Sequence, residues 1–216
     1  MAFRQYDDPE ELKHVQRVST LILKELDRVC RENDIPYVVY GGTAIGTIRH
    51  KGFIPWDDDV DISMIRPDYE RFLEIAPKAL DPRFEINNVT TNDDFPTTFS
   101  FLGLKGTTCI PDFFESCTYN KPLSIDVFPL DAIPTDEAKY KKMARGAWIW
   151  GRLMFLRATP RPYLPFDGPK KAAVYAACGV AHGMLKAFGI TQQRIYNKWE
   201  KYARAAENDT DIRGYG

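Results

Sequence analysis

The sequence predicts an α/β protein in which a mixed sheet is flanked by helices and followed by a C-terminal helical subdomain. Through residues 1–134, short β-branched and aromatic runs alternate with amphipathic helical patterns, which is typical of an α/β layer structure. Residues 135–216 instead read as helices separated by a proline-rich stretch. We place a domain boundary near Pro134. The chain stops at "DIRGYG" without a capping element, so we expect either a flexible tail or a helical region that is truncated at its C-terminal end.

The helix and strand predictions follow from hydrophobic spacing and from glycine and proline positions. Apolar residues at helical spacing predict a first helix over 8–34, with Pro9 in its first turn. The β-branched run "IPYVVYGG" predicts a buried strand that ends on Gly41 and Gly42, followed by one or two helical turns over 43–52. The remaining predicted elements are strands at 58–65, 83–90, 98–107 and 123–133 and helices at 66–80, 136–158 and 170–189.

Composition excludes several classes of protein. The 216 residues are 44% hydrophobic and 27% charged, which is ordinary for a globular protein. A formal net charge of -1 gives no reason to expect a nucleic-acid partner. The four cysteines include no CxxC pair, so we expect reduced thiols. The N-terminus lacks the apolar region of a signal peptide, and no run of about 18 apolar residues is present. We expect a cytoplasmic protein, and the basic and aromatic helix described below would allow peripheral contact at the inner face of the membrane.

The stretch "YGGTAIGTIRHKGFIPWDDDVDISM" crowds four carboxylates at the start of a strand-like run. Because side chains alternate along a strand, Asp59 and Asp61 should project from the same face. Two like charges at this separation repel each other unless a cation lies between them, and Mg²⁺ prefers carboxylate oxygens. We therefore predict a metal site on these two residues. For Asp57 and Asp58, a solvated loop or helix-cap role is as good an interpretation.

Glycines upstream of the acids supply a second half of the predicted site. Gly41 and Gly42 precede a short helix, whose free backbone N–H groups can bind phosphate, and Thr43 can add a hydroxyl donor. A plain tight turn would also explain Gly-Gly-Thr by itself. Arg49 is our candidate for a further phosphate contact, since its guanidinium can engage two oxygens, although a solvated basic turn is the alternative.

These motifs resemble the nucleotidyltransferase superfold, in which a glycine pair precedes an Asp-x-Asp strand and a later strand adds a third acid. Here that resemblance assigns the third acid to Asp126 in "LSIDVFPLD", with a turn cap as the alternative role and Asp131 as the fallback. The longer run "GGTAIGTIRHKGFIPWDDDVDI" closely resembles the signature of the LicD family, and "IDVFPLD" resembles its second motif. The resemblance covers Leu21 to Pro134 and weakens in the helical region.

The LicD resemblance implies a phosphotransferase. Members of this family move phosphocholine from CDP-choline onto sugars of teichoic acid or lipopolysaccharide and release CMP, and the related fukutin group transfers ribitol phosphate. The resemblance implies Mg²⁺, with Mn²⁺ as a substitute, held by Asp59, Asp61 and Asp126, and a lipid-linked glycan acceptor. Three alternatives stay open, namely another CDP-alcohol such as CDP-ribitol or CDP-glycerol, nucleotidyl transfer with release of pyrophosphate, and an inactive nucleotide-binding domain.

Two aromatic features have no single interpretation in the sequence. A quaternary ammonium is usually bound by aromatic faces, and the candidates are Trp56, Phe113, Phe114 and Tyr119, each of which fits the hydrophobic core as well. In the helical region, "ARGAWIWGRLMFLRATPRPY" interleaves arginines with tryptophans. That pattern predicts either a helix in a membrane interface or a helix packed on the α/β part.

Overall fold

The computed structural model describes residue 6, residues 8–111 and residues 114–216 of the chain. Six α-helices are present in these parts: α1 (Pro9–Glu32), α2 (Gly41–His50), α3 (Arg66–Ala79), α4 (Glu137–Ala158), α5 (Pro169–Ala187) and α6 (Gln192–Ala203). They accompany seven strands: β1 (Val38–Val39), β2 (Asp61–Ile65), β3 (Phe84–Asn87), β4 (Ser100–Leu104), β5 (Ser124–Leu130), β6 (Ala132–Pro134) and β7 (Ile212–Tyr215).

Five strands form a mixed sheet in the order β1-β2-β5-β4-β3. The central pair β2 and β5 runs parallel, while β1, β4 and β3 each run antiparallel to the neighbour they pair with. The register of the central pair places Asp61 opposite Asp126. The α/β class, the mixed sheet with flanking helices and the C-terminal helices are therefore confirmed.

The sheet has two different faces because its side chains alternate. On the first face, residues such as Ile62 and Ile125 pack against helices α1 and α3 and form the main core, in which Leu26 and Phe72 are fully buried. The second face carries Asp61, Asp126 and Phe101. One side of the sheet therefore provides stability and leaves the other side able to hold polar groups.

A second hydrophobic cluster joins the helical region to the second face of the sheet. Phe95 and Phe101 from the sheet region contact Met154 of α4 and Ile195 of α6 in this cluster. Helix α4 runs against α6, where Gly146 leaves room that the ring of Tyr202 fills. The α4 sequence therefore packs on the α/β part along the side that carries Met154.

The C-terminal tail differs from the prediction. The stretch "DIRGYG" forms strand β7, which pairs antiparallel with β6, and helix α6 precedes it although the sequence patterns did not indicate this helix. The Asp131 N–H donates to the Gly216 carbonyl oxygen, and the Gly216 N–H donates to the Asp131 carbonyl oxygen. These backbone hydrogen bonds hold the end of the tail beside β6. The division into two domains at Pro134 stays a prediction.

The strands next to the acidic cluster are shorter than predicted. Strand β1 has only two residues, and Gly41 and Gly42 are the first residues of α2 rather than the end of the strand. Gly41 has φ +53°, a left-handed conformation that ends the extended chain and favours glycine. Strand β2 begins at Asp61, so Asp59 lies in the segment just before the strand and not within it.

Two further sequence expectations concern the thiols and the membrane. All four cysteines are free. Within the described ranges, no single helix is long and apolar enough to cross a membrane. Helices α5 and α6 together meet that test of length and composition, but a bend of 104° separates them.

Asp131, the alternative candidate for the third metal-binding acid, forms a buried ion pair instead. Arg66, at the start of α3, donates to both carboxylate oxygens of Asp131 over 2.8 and 2.6 Å, and both residues are buried. A buried carboxylate whose charge is balanced in this way has no open side for a metal ion. The pair ties α3 to the end of β5.

Substitution Arg66→Met should leave the buried Asp131 carboxylate without its counter-charge. We expect the free energy of unfolding to fall by about 3–5 kcal/mol, measured by urea denaturation. The double variant Arg66→Met/Asp131→Leu should recover most of that loss, because it removes both charges together. A loss below about 1 kcal/mol in the single variant, the range of an exposed ion pair, would contradict this structural role.

Candidate active site

Two of the predicted acids lie side by side on the central strands of the sheet. Asp61 of β2 and Asp126 of β5 are register partners in a parallel pair, so their side chains project from the same face. The Asp126 N–H donates to the Val60 carbonyl oxygen over 2.9 Å, which fixes this register. Asp59 precedes β2, yet its charge acts on both of the other carboxylates. The structure thus brings all three predicted acids into one electrostatic cluster, hereafter the acid cluster.

The acid cluster is unfavourable when all its members are ionised. Burial, together with repulsion from neighbouring carboxylates, raises the pKa of Asp59, Asp61 and Asp126 to about 6. Asp57 and Asp58 repel Asp59, whereas Asp59 repels both Asp61 and Asp126. Burial also raises the pKa of Asp57, which shares a hydrogen bond with Asp59. These carboxylates therefore gain from a nearby cation more than exposed acids would.

The glycine pair lies directly against the acid cluster. A Cβ atom on Gly41 would come within 2.9 Å of Asp61 Oδ2, and one on Gly42 within 2.9 Å of Asp57 Oδ2. Any larger residue would therefore push a carboxylate out of place. Tyr40, the N-cap residue of α2, provides no side-chain hydrogen bond to the first turn of the helix. The helix N-terminus and the acids consequently form one site, in which backbone N–H groups are available to an anion.

Thr43 connects the two halves of the site. Its Oγ1 accepts a hydrogen bond from the Asp61 N–H over 2.9 Å, which ties α2 to the start of β2. The hydroxyl hydrogen of Thr43 stays available for donation to a ligand. The sequence suggested only the donor role, because the partner N–H comes from a residue 18 positions away.

The remaining acids of the motif have structural partners. Gln16 of α1 donates from Nε2 to the Asp57 carbonyl oxygen over 2.8 Å, and Asp58 accepts from the Tyr6 hydroxyl over 2.7 Å. These contacts attach the acidic loop to the N-terminal part of the chain. Asp58 therefore has a loop-anchoring role, while the Asp57 side chain lies within the site beside Gly42.

Lys121 is a member of the site that the sequence analysis missed. Its Nζ lies 3.6 Å from Asp126 Oδ1, donates to Ser124 Oγ over 2.7 Å and lies 4.4 Å from the centre of the Phe101 ring. The ammonium lowers the pKa of Asp59, Asp61 and Asp126 against the effect of burial. A lysine five positions before Asp126 was the available signal, but a lone lysine in a loop normally indicates only a solvated surface.

Arg49 lies at the other end of α2 from the glycine pair. Eight residues of helix separate it from Gly41, a rise of about 12 Å. Its side chain is exposed and forms no ion pair with another described residue. The phosphate-binding role of Arg49 stays a prediction, and it would require a ligand that extends along the helix.

The aromatic candidates are distributed between the surface and the core. Trp56 is 72% exposed beside the acidic loop, while Phe114 and Tyr119 are buried in the second hydrophobic cluster. Phe113 lies outside the described residues.

A different aromatic row borders the site, and the sequence patterns did not indicate it. The Phe128 ring lies 4.2 Å from the Phe99 ring and 6.1 Å from the ring of Tyr40, which is half exposed. Phe128 projects from the same face as Asp126, two residues earlier on β5. The Phe128 ring is tilted by 36° against the Phe99 ring and by 47° against the Tyr40 ring, so this row offers an apolar but uneven surface next to the acids.

The chemistry of the acid cluster suits a hard divalent cation. Its donors are carboxylate oxygens, which are suitable ligands for Mg²⁺ and Mn²⁺. A bound dication would also remove the electrostatic repulsion among the carboxylates. Among the described residues, no three acidic, histidine or cysteine side chains already converge on a single point. Binding an ion would therefore require the carboxylates to rotate toward it.

The raised pKa values predict how stability depends on pH in the metal-free protein. Because the folded-state pKa of Asp61 is about 6 against an ordinary value of 3.8, the folded state binds this proton more tightly than the unfolded state does. Stability should therefore decline as pH rises from about 4 to about 6 and stay lower above that range. Substitution Asp61→Asn should raise the free energy of unfolding at pH 7.5 by about 1–2 kcal/mol and have little effect near pH 4.

Urea unfolding in the presence of EDTA at both pH values measures this difference. Asp93→Asn, a substitution of an exposed acid outside the cluster, is the matched control and should give the same stability as the wild type at both pH values. An Asp61→Asn protein that is less stable than the wild type at pH 7.5 would contradict the conclusion that the ionised Asp61 carboxylate destabilises the folded state.

Comparison with known proteins gives a family match that spans the region of the site. The family model described as LicD/FKTN/FKRP, nucleotidyltransferase domain, matches residues 34–154, a range that includes every member of the acid cluster and Lys121. The lipopolysaccharide cholinephosphotransferase LicD of Haemophilus influenzae is 34% identical over 125 residues, which cover 58% of this chain and 46% of that protein. An uncharacterised protein of Rickettsia typhi is 36% identical over 70 residues, which cover 32% of this chain and 23% of that protein.

The match has a defined extent. The aligned part spans less than half of the length of each of these relatives, and the family model ends at residue 154, before α5. More than half of this chain nevertheless matches the family model. The chain therefore belongs to the LicD/FKTN/FKRP family of nucleotidyltransferase domains.

Proposed function

We propose that this protein is a Mg²⁺-dependent transferase that moves phosphocholine from CDP-choline to a hydroxyl group of a cell-surface glycan precursor and releases CMP. The observation that carries the proposal is the register of Asp61 and Asp126 beside the glycine-initiated helix α2. Family membership and the similarity to a cholinephosphotransferase support phosphotransfer as the reaction class. The choice of choline and of a teichoic acid or lipopolysaccharide acceptor is the finer part of the proposal.

The donor diphosphate fits the junction between α2 and the acid cluster. The N–H groups of Gly41, Gly42 and Thr43 open the helix without a side-chain cap, which favours an anion there. Lys121 adds a positive charge 3.6 Å from Asp126. The row of Tyr40, Phe99 and Phe128 offers stacking area to the cytosine ring or to the trimethylammonium group.

Asp59, Asp61 and Asp126 would hold the metal ion. When bound, Mg²⁺, or Mn²⁺ in its place, supplies positive charge that offsets the charge of the diphosphate and of the leaving CMP. The three carboxylates in turn fix the orientation of the donor relative to the sheet. Phosphoryl transfer depends mainly on such positioning and on electrostatic stabilisation.

In the transfer step, the acceptor hydroxyl oxygen forms a bond to the phosphorus that carries choline, and the bond from that phosphorus to the CMP oxygen breaks. The hydroxyl proton needs an acceptor, and Asp126 is our candidate. Burial raises the pKa of Asp126 to about 6 in the metal-free site, and a bound cation would lower it again, so the carboxylate is ionised at neutral pH and able to accept the proton. Lys121, 3.6 Å from Asp126, favours the ionised form of this carboxylate before the proton arrives, because its ammonium lowers the pKa of Asp126.

The other reactions that the motifs allow differ in donor and leaving group. CDP-ribitol or CDP-glycerol would use the same acids and also release CMP, whereas nucleotidyl transfer from CTP would release pyrophosphate. An inactive nucleotide-binding domain would gain nothing from desolvated, mutually repelling carboxylates, which is why we rank it last. We further propose a cytoplasmic location and a lipid-linked acceptor.

A donor panel tests the proposal. Purified protein and Mg²⁺ are mixed with CDP-choline, CDP-ribitol, CDP-glycerol or CTP, with a glycan acceptor added, and CMP and pyrophosphate are quantified. We expect CMP from CDP-choline, and a loss of roughly a hundredfold or more in rate for Asp61→Asn and for Asp126→Asn.

The controls separate specific from general effects of these substitutions. Asp57→Asn should cost less than the two cluster variants, and the exposed Asp93→Asn should leave the rate unchanged. Release of pyrophosphate from CTP without CMP from any CDP-alcohol would overturn the phosphotransfer proposal. An Asp61→Asn variant with near-normal turnover would do the same.

Lys121 provides a separate prediction about donor binding. Lys121→Met retains the aliphatic chain against Phe101 but removes the ammonium, so we expect KM for the CDP-alcohol to rise by about tenfold or more. The matched control is Lys105→Met, because Lys105 is exposed and its Nζ donates to the Pro82 carbonyl oxygen. Steady-state kinetics on both variants measures the effect, and an equal KM for the two would exclude Lys121 from the donor site.

A further inference from the structure

Helix α5 presents an apolar face to solvent. None of its residues between Pro169 and Ala187 is fully buried. Val180 is 65% exposed and Met184 is 54% exposed, and Phe188, just beyond the helix, is 71% exposed. Alanines and a glycine occupy the other exposed positions at the same helical spacing, and Lys186 is the only charged residue exposed between 172 and 188. We call this surface the α5 outer face.

The opposite side of α5 is anchored to the rest of the protein. His182 Nδ1 forms a 2.9 Å hydrogen bond with the Leu156 carbonyl oxygen near the end of α4, and half-buried residues such as Tyr175 and Cys178 accompany it. The helix therefore has a fixed orientation, and its outer face contacts no other element in the described part of the chain. Large apolar side chains on a fixed exposed face mark a contact surface more often than scattered ones do.

The charge around this helix is strongly segregated. Residues 138–189 contain ten lysines and arginines and one acidic residue, Asp167, although the whole chain has a formal net charge of -1. Several of these cations have no carboxylate partner among the described residues: Lys142, Arg145, Arg152, Arg161, Lys170 and Lys186. The helical region is thus basic, and the remainder of the chain is acidic.

Two lysines bracket the α5 outer face along the helix. Lys170 lies in the first turn and Lys186 in the last turn of α5, and both are exposed. Their long side chains can extend away from an apolar layer and keep the ammonium groups in a polar one. An exposed apolar face that is accompanied by lysines suits a helix that lies in the plane of a membrane interface.

We propose that the α5 outer face is a docking surface for an anionic lipid bilayer, with Val180, Met184 and Phe188 inserted among the acyl chains. Charge complementarity selects this partner. A second copy of the chain placed symmetrically on the same face would bring its own basic region against this one, whereas anionic headgroups attract it. The proposal does not depend on the transfer reaction, since a protein that releases no CMP could still bind vesicles.

Vesicle flotation tests the proposal directly. The full chain is mixed with vesicles of phosphatidylcholine alone or with added phosphatidylglycerol, and the floated fraction is measured. We expect binding to the anionic vesicles to be at least about tenfold stronger than to the neutral ones, and to weaken with added salt. The double variant Met184→Glu/Phe188→Glu should lose about tenfold or more of that binding and retain its rate of CMP release.

Matched variants separate insertion from loss of fold. Ile45→Glu/Ile48→Glu places the same two charges at apolar residues of α2 that are 47% and 74% exposed, and it should leave flotation unchanged. Lys170→Gln/Lys186→Gln preserves the apolar residues and should reduce both the binding and its salt dependence.

Three results would overturn the proposal. The first is equal, weak flotation of the wild type with both vesicle types. The second is wild-type flotation of a folded Met184→Glu/Phe188→Glu protein. The third is a wild-type protein that does not bind vesicles but forms a concentration-dependent dimer in sedimentation, with Met184→Glu/Phe188→Glu abolishing the dimer. A second copy of the chain would then be the partner of the α5 outer face.

Discussion

Repulsion among three partly desolvated carboxylates is the constraint to which the rest of the site responds. The parallel register of β2 and β5 places Asp61 against Asp126, and Asp59 approaches from the preceding segment. Water cannot screen these charges fully on a sheet face, which is why burial raises the pKa of each to about 6. Such a cluster costs stability in the absence of a cation, so its presence indicates a function that uses the charge.

The neighbours of the cluster either leave space for it or offset its charge. Gly41 and Gly42 lack the Cβ atoms that would collide with Asp61 and Asp57, and Gly41 also adopts the left-handed conformation that starts α2. Lys121 supplies a single positive charge within 3.6 Å of Asp126. One lysine cannot neutralise three carboxylates, and the site is left with a net negative charge suited to a dication.

The two faces of the sheet have different roles, one in stability and one in the chemistry of the site. Its first face is closed by α1 and α3 over the main core, and its second face shares its area between the acids and the cluster that attaches α4 and α6. Because the helical region is attached there, its basic and apolar surfaces are carried on the same rigid support as the acid cluster. The chain thus combines an acidic site with a basic helical region within one fold.

The sequence by itself determined the α/β class, the acids of the site and the glycine pair, because hydrophobic period and side-chain chemistry are local properties. Only the tertiary structure decided the role of Lys121, the buried pairing of Asp131 with Arg66 and the core position of Tyr119. Each of these depends on a contact that the hydrophobic period does not encode. The start of β2 at Asp61 and the pairing of β7 were missed for the same reason, since strand limits depend on which backbone groups find partners.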